Sequence, residues 1–183
     1  LDMSGEIGTA AVQAPRQIAF TVKERGKASH AGFAPQDGVH AIRIAATAIA
    51  EMAIGRIGDD TTVNVGHIEG GRASNIVPDY CEVSGELRSF SHKKALEELA
   101  KVEQIFAKEA EKCGGSIEFI RDICYQAYKT DENESVVKEF QKACTACGIK
   151  SSLIATFGGS DQNKMSEHGI PGIVMASAMH QVH

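Results

Sequence analysis

The sequence predicts an α+β unit of βαββαβ order inserted into a layered α/β domain. Three observations predict it. Apolar residues alternate with period two over four stretches between Arg16 and Ala127. Two amphipathic helical patterns divide them into strand, helix, strand, strand, helix, strand, the split βαβ arrangement of an antiparallel sheet covered on one face by two helices. After that stretch the chain changes to alternating helix and strand, the pattern of a layered α/β domain.

Taken in order, Leu1 to Pro15 is rich in small residues, with Asp2, Gly5 and Gly8, and reads as a strand end, a turn and a second short strand. Ile18, Phe20 and Val22 then alternate with Ala19, Thr21 and Lys23, as in a half-buried strand. Asp37 to Met52 carries Val39, Ile42, Ala46, Ile49 and Ala50 at helical steps, with Pro35 and Asp37 marking its start and Gly55 and Gly58 its end. Thr61 to Ile68 is a second strand, and the turn Glu69-Gly70-Gly71-Arg72 follows. Tyr80 to Phe90 is a third, with Val83, Gly85 and Leu87 on one face. Ser91 caps a helix from His92 to Cys113 whose apolar line is Leu96, Leu99, Val102, Ile105, Phe106 and Ala110, and Gly114-Gly115 stops it. Ser116 to Tyr128 is the fourth strand, with Ile117, Phe119 and Ile123 facing in.

The tail reads as a helix from Ser135 to Cys147, a strand from Ser152 to Ala155, a helix opened by Gly158-Gly159-Ser160-Asp161, and a buried strand from Ile173 to Ala176. Two strands in so short a tail leave a sheet edge open, so the first segment belongs with it. The expected domains are therefore residues 16–127 as the inserted unit, with 1–15 and 128–183 as parts of the α/β domain.

Of the 183 residues, 43% are apolar and 23% charged, which excludes disordered, collagen-like and disulfide-scaffold classes. A net charge of −5 argues against nucleic acid as a partner. No apolar run approaches the length of a membrane span, and no basic-then-apolar leader opens the chain. Five cysteines without framework spacing fit reduced thiols, hence a cytoplasmic protein. Cys144 and Cys147 have redox spacing but lie at a helix end, where a thiolate gains least from the dipole, and read as packing thiols. The chain opens on Leu1 and stops at His183 directly after a His-x-x-His, so a piece of a larger protein is expected.

Several residues are candidates for chemistry, each with a plainer reading beside it. His180 and His183 follow a strand end, where α/β sheets present ligands and a neutral imidazole suits zinc; they also read as surface histidines. Asp2, before a glycine turn, is a metal ligand or an Asx-turn former. His30, in Ala28-Ser29-His30-Ala31-Gly32, is a donor to a developing oxyanion or an ordinary loop histidine. Asn75 lies in the Gly70–Asp79 loop, a shaped recognition turn or a long hairpin connection. Arg88 is a carboxylate clamp or a solvated strand position. Gly159, Ser160 and Asp161 open a helix, as an anion cradle or as an N-cap. No phosphate-loop or dinucleotide motif occurs.

In order, Leu1-Asp2-Met3-Ser4-Gly5-Glu6-Ile7-Gly8, Gly26-Lys27-Ala28-Ser29-His30-Ala31-Gly32, Ile68-Glu69-Gly70-Gly71, Ser74-Asn75-Ile76-Val77-Pro78-Asp79, Gly85-Glu86-Leu87-Arg88-Ser89, Gly158-Gly159-Ser160-Asp161 and His180-Gln181-Val182-His183 run the length of the chain. With these stretches the chain resembles the co-catalytic zinc exopeptidases of the peptidase T (tripeptide aminopeptidase) group, related to aminoacylases, succinyl-diaminopimelate desuccinylase and glutamate carboxypeptidases. The resemblance implies a βαββαβ lid that mediates homodimerisation, inserted in a zinc-bearing α/β domain that acts on short peptides. It implies Asp2 and His183 as ligands of two different zincs, and His30 as the residue that polarises the scissile carbonyl. It implies that Asn75 and Arg88 hold the substrate and that Gly159, Ser160 and Asp161 line the same pocket. The family's His-x-Asp motif, bridging Asp and Glu-Glu pair are absent from this sequence, so the chain alone is expected to be inactive. Two other readings stand beside this one: a non-catalytic βαββαβ module that dimerises or binds a small ligand, and an amidohydrolase of N-acyl amino acids.

Overall fold

The computed structural model describes residues 2–178, and His180 and His183 lie outside them. In chain order the elements are β1 (Asp2–Met3), β2 (Thr9–Ala14), β3 (Arg16–Arg25), β4 (Ser29–His30), a 3₁₀ turn (Pro35–Asp37), α1 (Ala41–Glu51), β5 (Gly55–Ile57), β6 (Thr61–Gly70), β7 (Ile76–Val77), β8 (Tyr80–Ser89), α2 (His92–Cys113), β9 (Ser116–Tyr125), β10 (Tyr128–Lys129), α3 (Ser135–Ala146), β11 (Ser152–Ala155), α4 (Asp161–Glu167) and β12 (Val174–Ala176). The chain divides into a central unit, residues 18–88 and 93–123, and a flanking unit, described residues 2–17, 89–92 and 124–178.

In the central unit the sheet order is β5-β6-β8-β3-β9, so the expected β3-α1-β6-β8-α2-β9 order is realised with one added edge strand. The core follows from strict alternation. Ile18, Phe20 and Val22 of β3 and Cys81, Val83 and Leu87 of β8 are buried against Ala41, Ala45 and Ala48 of α1 and Ala95, Leu99, Val102 and Phe106 of α2. Gly85 shares that inward parity because a Cβ there would lie 2.4 Å from Cζ of Phe20 and 2.3 Å from the Asn64 carbonyl oxygen. The same alternation carries Glu24 into the core: it is 0% exposed, and its carboxylate oxygens find no partner on any other residue. Burial, with a smaller contribution from Glu82, pushes that carboxyl up to about 8, and the neighbouring Cys81 thiol up to about 11.

The structure corrects several expected details. Helix α1 begins at Ala41 rather than Asp37, because Val39 pairs back with Lys27 through two backbone hydrogen bonds of 2.9 and 3.0 Å. His40 then caps the helix, its Nδ1 accepting from the Arg43 N–H at 3.2 Å. The buried line of α1 is consequently Ala41, Ile44, Ala45 and Ala48, with Ala46 outside. On α2 Ala95 takes the inward position, and Leu96 is 42% exposed. Ile123, at the end of the edge strand β9, is 49% exposed rather than inward. Gly55 and Gly58 do end the helical run, but they bracket β5, whose Gly55–Ile57 pairs antiparallel with Thr61–Val63.

In the flanking unit β2 is central. It pairs in parallel with β11 along one edge, and antiparallel with β12 and β10 along the other, while β1 pairs in parallel with β12. The first segment of the chain thus supplies the strand, β2, that pairs with both β11 and β12 of the tail. Ala10, Val12, Val137 and Ile173 form its core, with Phe140 and Leu153 packed on it. No helix among the described residues is long and apolar enough to cross a membrane. All five cysteines are free.

Candidate functional site

In the central unit the chain brings His30 and Asn75 together. Strands β4 and β7 pair antiparallel with Ser29 opposite Val77 and His30 opposite Ile76. The Ala31 N–H donates to the Asn75 carbonyl oxygen at 2.9 Å, so the two candidate loops form one exposed tip. At this tip His30 Nδ1 accepts hydrogen bonds from the backbone N–H groups of Gly32 (3.1 Å) and Phe33 (3.2 Å). A neutral imidazole whose Nδ1 is an acceptor carries its proton on Nε2, and is there a donor. The ring is also held by Phe33, stacked at 4.3 Å between centroids and 28° between planes. An N–H donor fixed in tautomer and orientation is what stabilisation of a developing oxyanion requires.

The Gly70–Asp79 loop around Asn75 is shaped by charge pairs. Arg72 and Asp79 meet at 3.2 Å, and the Arg25 guanidinium lies 4.9 Å over the Tyr80 ring. These four residues, with Gly26 and Gly71, line a cavity of about 560 Å³. The Tyr80 hydroxyl donates to Glu82 at 2.7 Å, which raises the Tyr80 pKa above its ordinary value, and burial adds to the rise.

Arg88 falls on the sheet face opposite the helices, since Leu87 and Ser89 are the buried neighbours. Its guanidinium is engaged in a fork with Glu86, Nε to Oε1 at 2.8 Å and Nη2 to Oε2 at 3.1 Å. A substrate carboxylate at Arg88 would exchange with Glu86 rather than meet a bare cation.

Gly159, Ser160 and Asp161 belong to the flanking unit. Ser160 is the N-cap of α4: its side chain accepts from the Gln162 N–H, and its own N–H donates to Asn163 Oδ1 at 3.0 Å. Gly159 is required because a Cβ there would lie 1.9 Å from the Tyr125 hydroxyl. Two buried amides beneath this loop escaped the sequence reading, where they look like ordinary helix residues. Asn163 Nδ2 donates to the carbonyls of Pro15 (3.0 Å) and Gln126 (2.7 Å), and Gln162 Nε2 donates to the Ile170 carbonyl at 3.0 Å. Arg16, only 1% exposed, hydrogen-bonds both His92 and Gln126 and so joins the three chain segments where the two units meet in sequence. Only tertiary contacts reveal these partners.

Asp2 lies in β1, opposite Met175 of β12. His183, the other expected zinc ligand, lies outside the described residues. Among the described residues no three His, Cys, Asp or Glu side chains converge on a common point. The ligands that the resemblance implies, Asp2 and His183, would be one carboxylate and one imidazole, donor types that suit zinc and are fewer than its four-coordinate sites use.

The model of the peptidase dimerisation domain of M20 type matches residues 17–113. The chain belongs to this family. It is 37% identical over its whole length to the uncharacterized protein YqjE of Bacillus subtilis, of which it covers 49%. Among solved structures it is similar to the aminopeptidase PepT of Bacillus cereus (38% identity, TM-score 0.92) and to a tripeptidase of Staphylococcus aureus (34% identity, TM-score 0.95). Both similarities cover all of this chain, and 49% and 48% of those chains. A dinuclear metal binding peptidase of the M20 family from Bacillus subtilis shares the fold over 97% of this chain and 46% of its own, at 18% identity and TM-score 0.71. The chain thus spans about half the length of the relatives it matches.

Proposed function

We propose that this chain is the lid and carboxy-terminal catalytic portion of a zinc-dependent, cytoplasmic exopeptidase of the tripeptide aminopeptidase type. The observation that carries the reading is the His30 tip. Its imidazole is locked as an Nε2–H donor, adjoins Asn75 and faces solvent. The similarity of the whole chain to an aminopeptidase and a tripeptidase supports the same substrate class.

In this reading His30 donates to the scissile carbonyl oxygen as it gains charge, and Asn75 holds the peptide backbone. Arg88 takes the peptide carboxylate in exchange for Glu86. Gly159, Ser160 and Asp161 line the pocket. Asp2 and His183 each supply a ligand to one of two zincs, which when bound would polarise the carbonyl and activate water. Residues 16–127 form the lid and pair two copies of the protein, while 1–15 and 128–183 belong to the catalytic domain. The general base comes from a segment this sequence does not contain, so the isolated chain does not turn over.

The test is a tripeptidase assay and zinc analysis of the full-length protein carrying this chain, beside the chain itself. His30→Ala should lower kcat by about 10²–10³-fold with little change in zinc content, the usual effect of losing one oxyanion donor. His183→Ala should lower zinc content and turnover together. A His30→Ala enzyme with full kcat would remove the assignment.

A further inference from the structure

The Phe33 side chain is 86% exposed, so the fold gains little by keeping an aromatic there. Its ring nevertheless has a fixed place. Its own backbone N–H is bonded to His30 Nδ1, its face stacks on the His30 imidazole, and the Ala34 N–H closes the turn onto the His30 carbonyl at 3.0 Å. Opposite His30 across the β4–β7 pair stands Ile76, 37% exposed. At the tip His30 Nε2 is therefore an N–H donor with an apolar ring against its imidazole and an aliphatic side chain across the strand pair from it.

We propose that Phe33 is a specificity-determining residue: its ring, with Ile76, forms an apolar subsite for the substrate side chain next to the carbonyl that His30 hydrogen-bonds. The proposal rests on the role given to His30 above. A carbonyl oxygen accepting from His30 Nε2 brings its flanking Cα to the ring stacked on that imidazole, so the side chain on that carbon packs against Phe33. A leucine or phenylalanine side chain leaves water there at a gain. A serine or aspartate side chain is desolvated against a surface that offers it no partner. Pockets that discriminate through apolar contact alone achieve about 10–200-fold, and that is the range available here.

The experiment uses the full-length protein carrying this chain and pairs of tripeptides that differ only in Leu against Ser at one position. The wild type should prefer the Leu peptide by at least about tenfold in kcat/KM at the position that meets Phe33. Phe33→Ser should lower that ratio by about tenfold or more, to near one, while Phe33→Leu, which keeps an apolar contact, should retain most of it. An equal loss on both peptides, or no loss on either, overturns the proposal and leaves Phe33 as a support for the His30 ring. A changed self-association constant with an unchanged ratio overturns it too, because the ring is then covered by a second copy. Failure of the wild type to hydrolyse any tripeptide removes the reading of His30 and this subsite together. Hydrolysis with an unchanged ratio removes the subsite alone.

Discussion

Glu24 shows how a single residue can oppose the pattern that places it. Strand parity puts its carboxyl among Val22, Cys81 and the helix face of the sheet, where water does not reach it and its oxygens have no partner on another residue. Its folded pKa of about 8 stands above the ordinary 4.5, so between these values the folded chain holds a proton that the unfolded chain releases. Stability is then greatest below about pH 4.5 as far as Glu24 is concerned, falls as pH rises toward 8, and levels off above it. Glu167 and Asp131, held below their ordinary values by backbone hydrogen bonds, act the other way, losing their contribution only as the medium becomes strongly acidic. Glu24→Gln should therefore flatten the fall between pH 5 and 8, by about 1.4 kcal/mol for each pH unit crossed as an upper bound. Urea midpoints of the two proteins across that range test it, and parallel curves would show that the carboxyl ionises without cost.

At the scale of the element, alternation and glycine placement explain most of the central sheet. Val83, Gly85 and Leu87 share a face as the sequence predicts, and the glycine admits the Phe20 ring. Gly85→Ala should cost about 1–3 kcal/mol, because the new methyl meets both a core ring and the backbone of β6. Gly66→Ala, whose Cβ would meet only Asn64 Nδ2 at 3.5 Å, serves as the control and should change stability far less. Thermal unfolding of the two variants measures the difference. Strand β6 carries a second consequence. β5 covers only Thr61–Val63, leaving Asn64–Gly70 as a solvated strand edge on which Ile68 is 48% exposed. Such an edge invites pairing with another strand.

For the whole molecule, the edge of β6 is the place where two copies of this peptidase dimerisation domain should pair. Sedimentation velocity should show a homodimer, and Ile68→Lys, at an exposed position, should give folded monomer; a monomer at high concentration for the unaltered chain would count against pairing. The two units should also differ in local stability. The central unit buries a core that runs from β3 and β8 across both α1 and α2, whereas the core of the flanking unit is Ala10, Val12, Val137 and Ile173. Along one side of it Val136, Phe140, Ala143, Met165 and Met175 line an open groove of about 590 Å³. Amide exchange should therefore be slowest in β3 and β8 and faster in β11 and β12; stronger protection of Ser152–Ala155 than of Tyr80–Ser89 would overturn this.

Period-two and period-3.6 patterns are local, so the order of the main strands and helices, the inward faces of β3 and β8 and the run of α2 were determined by the sequence alone. So was the set of candidate loops, because Gly-, Asn- and His-rich connections stand out against the periodic segments. Details that depend on what packs where were decided by tertiary structure. The start of α1 depends on Val39 finding Lys27, the face of Arg88 on the parity of its buried neighbours, and the engagement of its fork on Glu86. The buried amides of Gln162 and Asn163 have partners as far away as Pro15, which no local pattern encodes. The junction of the His30 and Asn75 loops is of the same kind, since two short strands 46 residues apart make it by pairing through the backbone, which carries no side-chain signature.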